Sequence, residues 1–252
     1  MTMKISEIRD ILKANVLCGE DQLDAVIVAG GSGSRMQAPI KKQYLQLAGL
    51  PILSHTLMAF DRRADLDRIV LVVPEADRRH CRKEILETLP LVHDVQLVPG
   101  GRRRQESVSN GLNALDADRG FVMIHDGVRP FVRDALIDAC LTGVRRSGAC
   151  IPAIAVTDTL KRVDANAVIV ETPARQHIRL AQTPQTFAID LIRSAHQRAQ
   201  QQGFNATDDA SVAEFAGASV TVVPGDPYNI KITTAYDLVI ARAIFNAWSE
   251  DG

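Results

Sequence analysis

Ala25-Val26-Ile27-Val28-Ala29-Gly30-Gly31-Ser32-Gly33-Ser34-Arg35-Met36 decides how this chain is read. An apolar run long enough for one buried strand opens directly into glycines and then an arginine. Such a turn brings backbone N–H groups against a phosphate, with a cation beside them. Lys41 and Lys42 follow, and no acidic residue stands between Gly33 and Asp61 to cancel their charge. The stretch reads as a polyphosphate cradle. A plain tight turn between strand and helix is the alternative.

Two better-known cradles do not fit. A P-loop needs four residues between its glycines and then Gly-Lys-Ser/Thr, and the chain has no such run. The dinucleotide fingerprint begins well at Gly31-Ser32-Gly33, but Met36 stands where its third glycine belongs. The acid expected about 20 residues further on is also missing.

With 252 residues, the chain is long enough for one substantial α/β domain with a well-buried core. A net charge of −1 gives no general case for nucleic acid or an anionic membrane as partner, so positive charge must be read locally. Cys18, Cys81, Cys140 and Cys150 form no C-x-x-C pair, and the histidines show no metal-ligand spacing. No apolar run approaches the roughly 20 residues of a membrane helix, and no signal peptide opens the chain. The expectation is a soluble, cytoplasmic protein with reduced thiols.

Residues 1–22 carry Ile5, Ile8, Leu12 and Val16 at near-helical spacing, which predicts an amphipathic extension packed on the body. From Asp24 onward, apolar strand candidates at 24–29, 68–73, 94–98, 121–125, 149–155 and 219–223 alternate with helical stretches. The helices fall at 51–60, 75–88, 105–116, 134–146, 188–201 and 208–216, and Pro51 suits the first helical position of the earliest. This alternation predicts an α/β fold, a mostly parallel sheet with helices on both faces, over a single domain 23–252. Ligands then belong at the carboxyl ends of the strands. Residues 159–163 and 168–172 break the rhythm as a β-hairpin arm at about 157–175. Its bare edges call for cover, most economically from a second copy of the chain.

Further constellations bear on chemistry. Gly100-Gly101-Arg102-Arg103-Arg104-Gln105-Glu106-Ser107 opens a helix with three arginines that oppose its dipole unless an anion visits. Asp126, in His125-Asp126-Gly127-Val128-Arg129-Pro130, falls at a strand's carboxyl end, where a carboxylate can hold Mg²⁺ against phosphate oxygens. A structural Asp126–Arg129 pair is the alternative there. Arg175 offers a bidentate fork for phosphate, followed by Thr183-Pro184-Gln185. Asn229-Ile230-Lys231-Ile232-Thr233 alternates like an ordinary strand with Lys231 outward. Thr207-Asp208-Asp209 reads first as a helix cap with acids in the opening turn.

In this order, AGGSGSRM (29–36), KKQY (41–44), GGRRRQESV (100–108), HDGVRP (125–130), TDTLKR (157–162), AQTPQ (181–185), TDDAS (207–211) and NIKIT (229–233) resemble the 2-C-methyl-D-erythritol 4-phosphate cytidylyltransferase family. The resemblance runs from about Asp24 to Phe245. It implies a Rossmann-like nucleotidyltransferase fold, CTP as co-substrate, Mg²⁺ as cofactor and release of pyrophosphate, in isoprenoid precursor synthesis. By motif, it implies catalytic roles for Arg35, Lys42, Arg175 and Lys231. The CTP pocket would be Ala29, Gly30, Gly31, Ser32, Gly33, Gly101, Arg104, Ser107 and Asp126, with Asp126 also near the metal. The acceptor would meet Asp126, Thr159, Arg175, Thr183 and Lys231. The arm would be exchanged across a homodimer, so that Thr159 and Arg175 serve the partner's site. Two positions depart from the pattern: Lys41 stands where proline is frequent, and Arg102 where an acid is frequent. An enzyme acting on ribitol 5-phosphate or another polyol phosphate is the alternative.

Overall fold

Strand β1 (Leu23–Val28) is buried along its whole length, and its alternate residues face opposite helical layers. In this computed structural model, which describes residues 22–30 and 40–250, β1 lies between β4 (Arg68–Val73) and β6 (Phe121–Asp126), parallel to both. β5 (Val95–Pro99) pairs in parallel with β4 and ends that side of the sheet. Beyond β6 comes β11 (Gln185–Ala188), antiparallel both to β6 and to β7 (Ala149–Ala155). β10 (Arg179–Ala181) continues along β7 in the same sense, while β12 (Thr221–Pro224) pairs with β7 in parallel. Apart from β10 and β11, the strands of this sheet therefore share one direction.

Helices cover both faces. Val26, Val28, Val70 and Val72 pack against α3 (Arg104–Asn113), α5 (Ile189–Gln201) and α6 (Asp209–Phe215). Ala25, Ile27, Ile69 and Leu71 pack against α1 (Ile52–Asp61), α2 (Arg78–Glu84) and α4 (Asp134–Ser147). Full burial of each such valine, isoleucine or leucine contributes roughly 1.5–3 kcal/mol. A third cluster joins Leu47, Ile52 and Val128 to Ile232 and to α7 (Ala235–Glu250), a helix the periodicity did not reveal.

Some boundaries differ from expectation for local reasons. Pro51 ends β3 (Leu50–Pro51), which pairs with β2 (Gln46–Leu47), and takes the N-cap rather than the first helical position. Asn229–Thr233 is a loop, not a strand: Ile232 makes a single backbone bond to Val128 while Asn229 turns inward to Thr183. The hairpin is present but shorter, with β8 (Arg162–Val163) against β9 (Ile169–Glu171). Its turn is closed by the Asp164 carboxylate, which accepts the N–H groups of Asn166 and Val168. The extension expected before Leu23 lies outside the described residues except for Gln22.

Gly111 lets α3 lie close on the sheet. A Cβ there would stand 2.5 Å from Val26 Cγ1 and 2.9 Å from Val72 Cγ2, both stiff β-branched groups. Gly111→Val should destabilise the fold by about 1–3 kcal/mol, as overpacking does. Urea unfolding with an unchanged m-value and a lowered midpoint would show it; an unmoved midpoint would count against this packing.

Candidate active site

The carboxyl ends of β1, β5 and β6 open on the same side and enclose a cavity of about 340 Å³. That lies within the usual small-ligand range of about 300–1,000 Å³. Ala29 and Gly30 extend from β1, with the Ala29 N–H donating to the Val72 carbonyl. Gln43 holds this turn from the other side, its Nε2 donating to Ala29 O at 2.9 Å. The short 3₁₀ turn Lys42–Tyr44 separates the two neighbouring lysines. Lys41 Nζ pairs with both oxygens of Asp77 at 2.7 Å, and Tyr44 donates to the same carboxylate. Lys42 lines the cavity.

The wall from β5 is built by Ser107, whose hydroxyl donates to Arg103 O and accepts the Gly101 N–H. This side chain shapes the turn rather than pointing a free proton at a ligand. The Glu106 carboxylate accepts the Arg102 N–H and so relieves the cost of an arginine-rich helix start. Arg102, Arg103 and Arg104 all line the cavity.

Asp126, at the end of β6 and 6% exposed, is the centre of the charge arrangement. Its Oδ1 accepts from Arg104 Nε at 3.2 Å, and its Oδ2 meets Lys231 Nζ at 2.8 Å and Arg129 Nε at 3.5 Å. Burial alone would raise its pKa, but Arg104, Lys231 and Arg129 overcome that and hold it well below the ordinary carboxylate range. Asp126 thus pairs with Arg129, as the structural reading of the motif expects, and its carboxylate also lines the cavity. Arg129 also donates to Asn229 O at 2.7 Å, and this fixes the loop that carries Lys231.

Thr183 lies behind Asp126 and outside the cavity lining. Its hydroxyl accepts the Asp126 N–H at 3.1 Å and lies 3.0 Å from His125 Nδ1, while His125 Nε2 faces the Arg129 carbonyl. A neutral His125 with its proton on Nε2 satisfies all of these contacts. Thr159 and Arg175 are exposed on the arm, with Arg175 Nη1 donating to Thr157 O, and they do not line this cavity. Arg35, Gly31, Ser32 and Gly33 lie outside the described residues. The structure adds two residues that the motifs did not single out as partners, Gln43 and Asp209; the latter pairs with Arg104 at 2.7 Å.

The family model for IspD, 2-C-methyl-D-erythritol 4-phosphate cytidylyltransferase, matches residues 23–247. The chain belongs to this family. A 2-C-methyl-D-erythritol 4-phosphate cytidylyltransferase from Pelotomaculum thermopropionicum is 41% identical over 227 residues, covering 90% of this chain and 95% of that protein. The one from Geotalea uraniireducens is 43% identical over 228 residues, covering 90% and 97%. Among solved structures, 4-diphosphocytidyl-2C-methyl-D-erythritol synthase from Anaerococcus prevotii superposes with a TM-score of 0.78 at 33% identity, covering 90% of this chain and 99% of that one. The fold described above is therefore the α/β nucleotidyltransferase fold of the IspD family.

Burial pushes the His125 pKa down to about 4, whereas an unfolded histidine titrates near 6.5. The unfolded chain therefore binds more protons between those values, and His125 costs stability as pH falls from about 6.5 to 4. Asp24, pushed up to about 6 by burial, acts in the opposite sense over part of that window. The test is thus a difference: relative to His125→Gln, the wild type should lose about 2 kcal/mol of unfolding free energy between pH 7 and 4.5. A pH-independent difference would contradict the neutral, buried imidazole.

Proposed function

We propose that the chain transfers the cytidylyl group of CTP to 2-C-methyl-D-erythritol 4-phosphate, giving 4-diphosphocytidyl-2-C-methyl-D-erythritol and pyrophosphate, through the cavity around Asp126. The observation that carries this reading is the charge of the lining: Lys42, Arg102, Arg103, Arg104 and Lys231 face it, against the single carboxylate of Asp126 among the described residues. A cavity so charged suits a triphosphate and lets a second anion approach it.

The reaction joins an acceptor phosphate oxygen to the α-phosphorus of CTP and breaks the bond from that phosphorus to the bridging oxygen, which leaves with pyrophosphate. A phosphate monoester has a second pKa of about 6 and is mostly dianionic at pH 7, so it attacks without a general base. The site agrees with that demand. Asp126 is held ionised by its cations and makes a poor base, and His125 is buried behind the wall with both nitrogens engaged. The work left to the protein is positioning and charge neutralisation.

In this reading, backbone at Ala29, Gly30 and Gly101, with Arg104 beside it, receives the nucleotide, joined by Gly31, Ser32 and Gly33. Arg35 and Lys42 take up negative charge as pyrophosphate leaves, and Lys231 aims the acceptor phosphate. A carboxylate has about four acceptor positions, and three of those on Asp126 face Arg104, Arg129 and Lys231. The fourth fits Mg²⁺, which one carboxylate and substrate phosphates suffice to hold. Bound there, the ion would add positive charge on the triphosphate. Thr183 would act on the acceptor through Asp126, whose backbone it holds.

The arm supports a homodimer. Val163, Val168, Ile169 and Val170 are about half exposed on it, and Leu180 and Val222 line a broad groove at its base. A second copy covering these surfaces would bring the partner's Thr159 and Arg175 to each cavity. We place the enzyme in the cytoplasm, with small molecules rather than nucleic acid as its ligands; no helix among the described residues is long and apolar enough to cross a membrane.

Lys42→Ala should lower kcat by about a hundredfold to a thousandfold, as loss of one preorganised charge-stabilising donor does, and change KM for CTP far less. Equal loss in kcat and CTP binding, measured by pyrophosphate release, would indicate ground-state binding instead. Ribitol 5-phosphate in the same assay should turn over far more slowly than the methylerythritol phosphate; equal turnover would move the acceptor assignment. Inactive Lys42→Ala and Arg175→Ala protomers, unfolded and refolded together, should recover about a quarter of wild-type activity, because half the dimers then hold one intact site. No recovery would count against an exchanged arm.

A further inference from the structure

Asp209 stands at the start of α6 and is only 1% exposed. Its Oδ2 accepts from Arg104 Nη1 at 2.7 Å, and its Oδ1 lies 3.4 Å from Nε2 of the buried His196. The backbone around it is locked. Gln185 Oε1 accepts the N–H groups of Asp209 and Ala210, both at 2.9 Å, and Gln185 Nε2 donates to Asp208. Asp208 in turn caps α6 through the Ser211 N–H. Burial opposes the Asp209 charge, but Arg104 and His196 beside it keep its pKa below the ordinary value.

The two members of this pair are not equivalent. Asp209 is a short side chain fixed by a helix start and a glutamine bracket, whereas Arg104 is long, partly exposed and reaches the cavity. Arg104 also donates through Nε to Asp126 Oδ1, so its guanidinium bridges two buried carboxylates. A planar fork held on two edges has one orientation left. Its Nη2 has no partner among the described residues. We propose that Asp209 is a positioning residue of the nucleotide cavity, holding the Arg104 fork so that Nη2 is presented to bound CTP.

This inference rests on Arg104 meeting the nucleotide, and the experiment separates the two claims. CTP affinity, kcat and acceptor KM are measured for the wild type, Asp209→Asn, Arg104→Gln and the double variant, with melting curves to confirm folding. Asp209→Asn keeps side-chain shape and leaves the Gln185 bracket to the backbone intact. The expected result is a CTP Kd raised about tenfold by either single change, and a double variant no worse than Arg104→Gln alone, because the two act as one unit. Acceptor KM stays within about twofold, which general loosening of the fold would not spare. Full multiplication of the two effects, or an unchanged Kd in Asp209→Asn, overturns the proposal. An unchanged Kd in Arg104→Gln overturns the nucleotide role of Arg104 and this inference with it. Should Asp209→Asn not fold, Arg104→Lys gives an independent reading: a point charge cannot bridge both carboxylates, so it should lose as much affinity as Arg104→Gln. Wild-type affinity in Arg104→Lys would refute the bridging geometry.

Discussion

One carboxylate with three cations organises this molecule. Asp126 is buried, and a buried charge persists only when paired and hydrogen-bonded. Its partners come from separate stretches of chain: Arg104 from the start of α3, Arg129 from the turn after β6, and Lys231 from the loop before α7. Satisfying Asp126 therefore gathers positive charge that would otherwise repel itself. The lining so formed carries more basic than acidic side chains among the described residues, which is the condition a triphosphate and a second phosphate both require.

The scaffold around that point uses ordinary side chains for exact placement of backbone. Gln43 holds the Ala29 carbonyl, Ser107 shapes the turn at Gly101, and Thr183 supports the Asp126 N–H. These groups spend their hydrogen bonds on the walls, and the charged groups face inward. Because the core strands β1, β4, β5 and β6 run in parallel, their carboxyl ends deliver these turns to one side of the sheet. Thr159 and Arg175, by contrast, lie exposed on the arm and outside the lining of this cavity.

Legibility from sequence followed the range of the interactions. Ala25–Val28, Ile69–Val73 and Val122–Ile124 are unbroken apolar runs, so the central strands could be read directly. The short, partly polar β10 and β11 could not be, since they are strands only because β7 and β6 offer edges. Asn229–Thr233 misled by its alternation: Asn229 and Ile232 are both buried, but by different partners and without a ladder. At the site, Arg104 and Asp126 follow apolar strands in the sequence and could be read as charges at strand ends, whereas Lys42 and Lys231 were singled out only by the family motifs KKQY and NIKIT. The partner of Lys41 lies 36 residues away at Asp77, and that of Arg104 105 residues away at Asp209. Nothing in local spacing carries such pairings.

Steady-state pyrophosphate release by Asp126→Asn, with CTP, Mg²⁺ and 2-C-methyl-D-erythritol 4-phosphate, tests the central claim most directly. If the carboxylate is what gathers the cations, kcat/KM should fall by about a hundredfold or more in a variant that still melts cooperatively. Turnover within about threefold of the wild type would mean that Arg104, Arg129 and Lys231 find their places without it, and the account would be wrong at its centre.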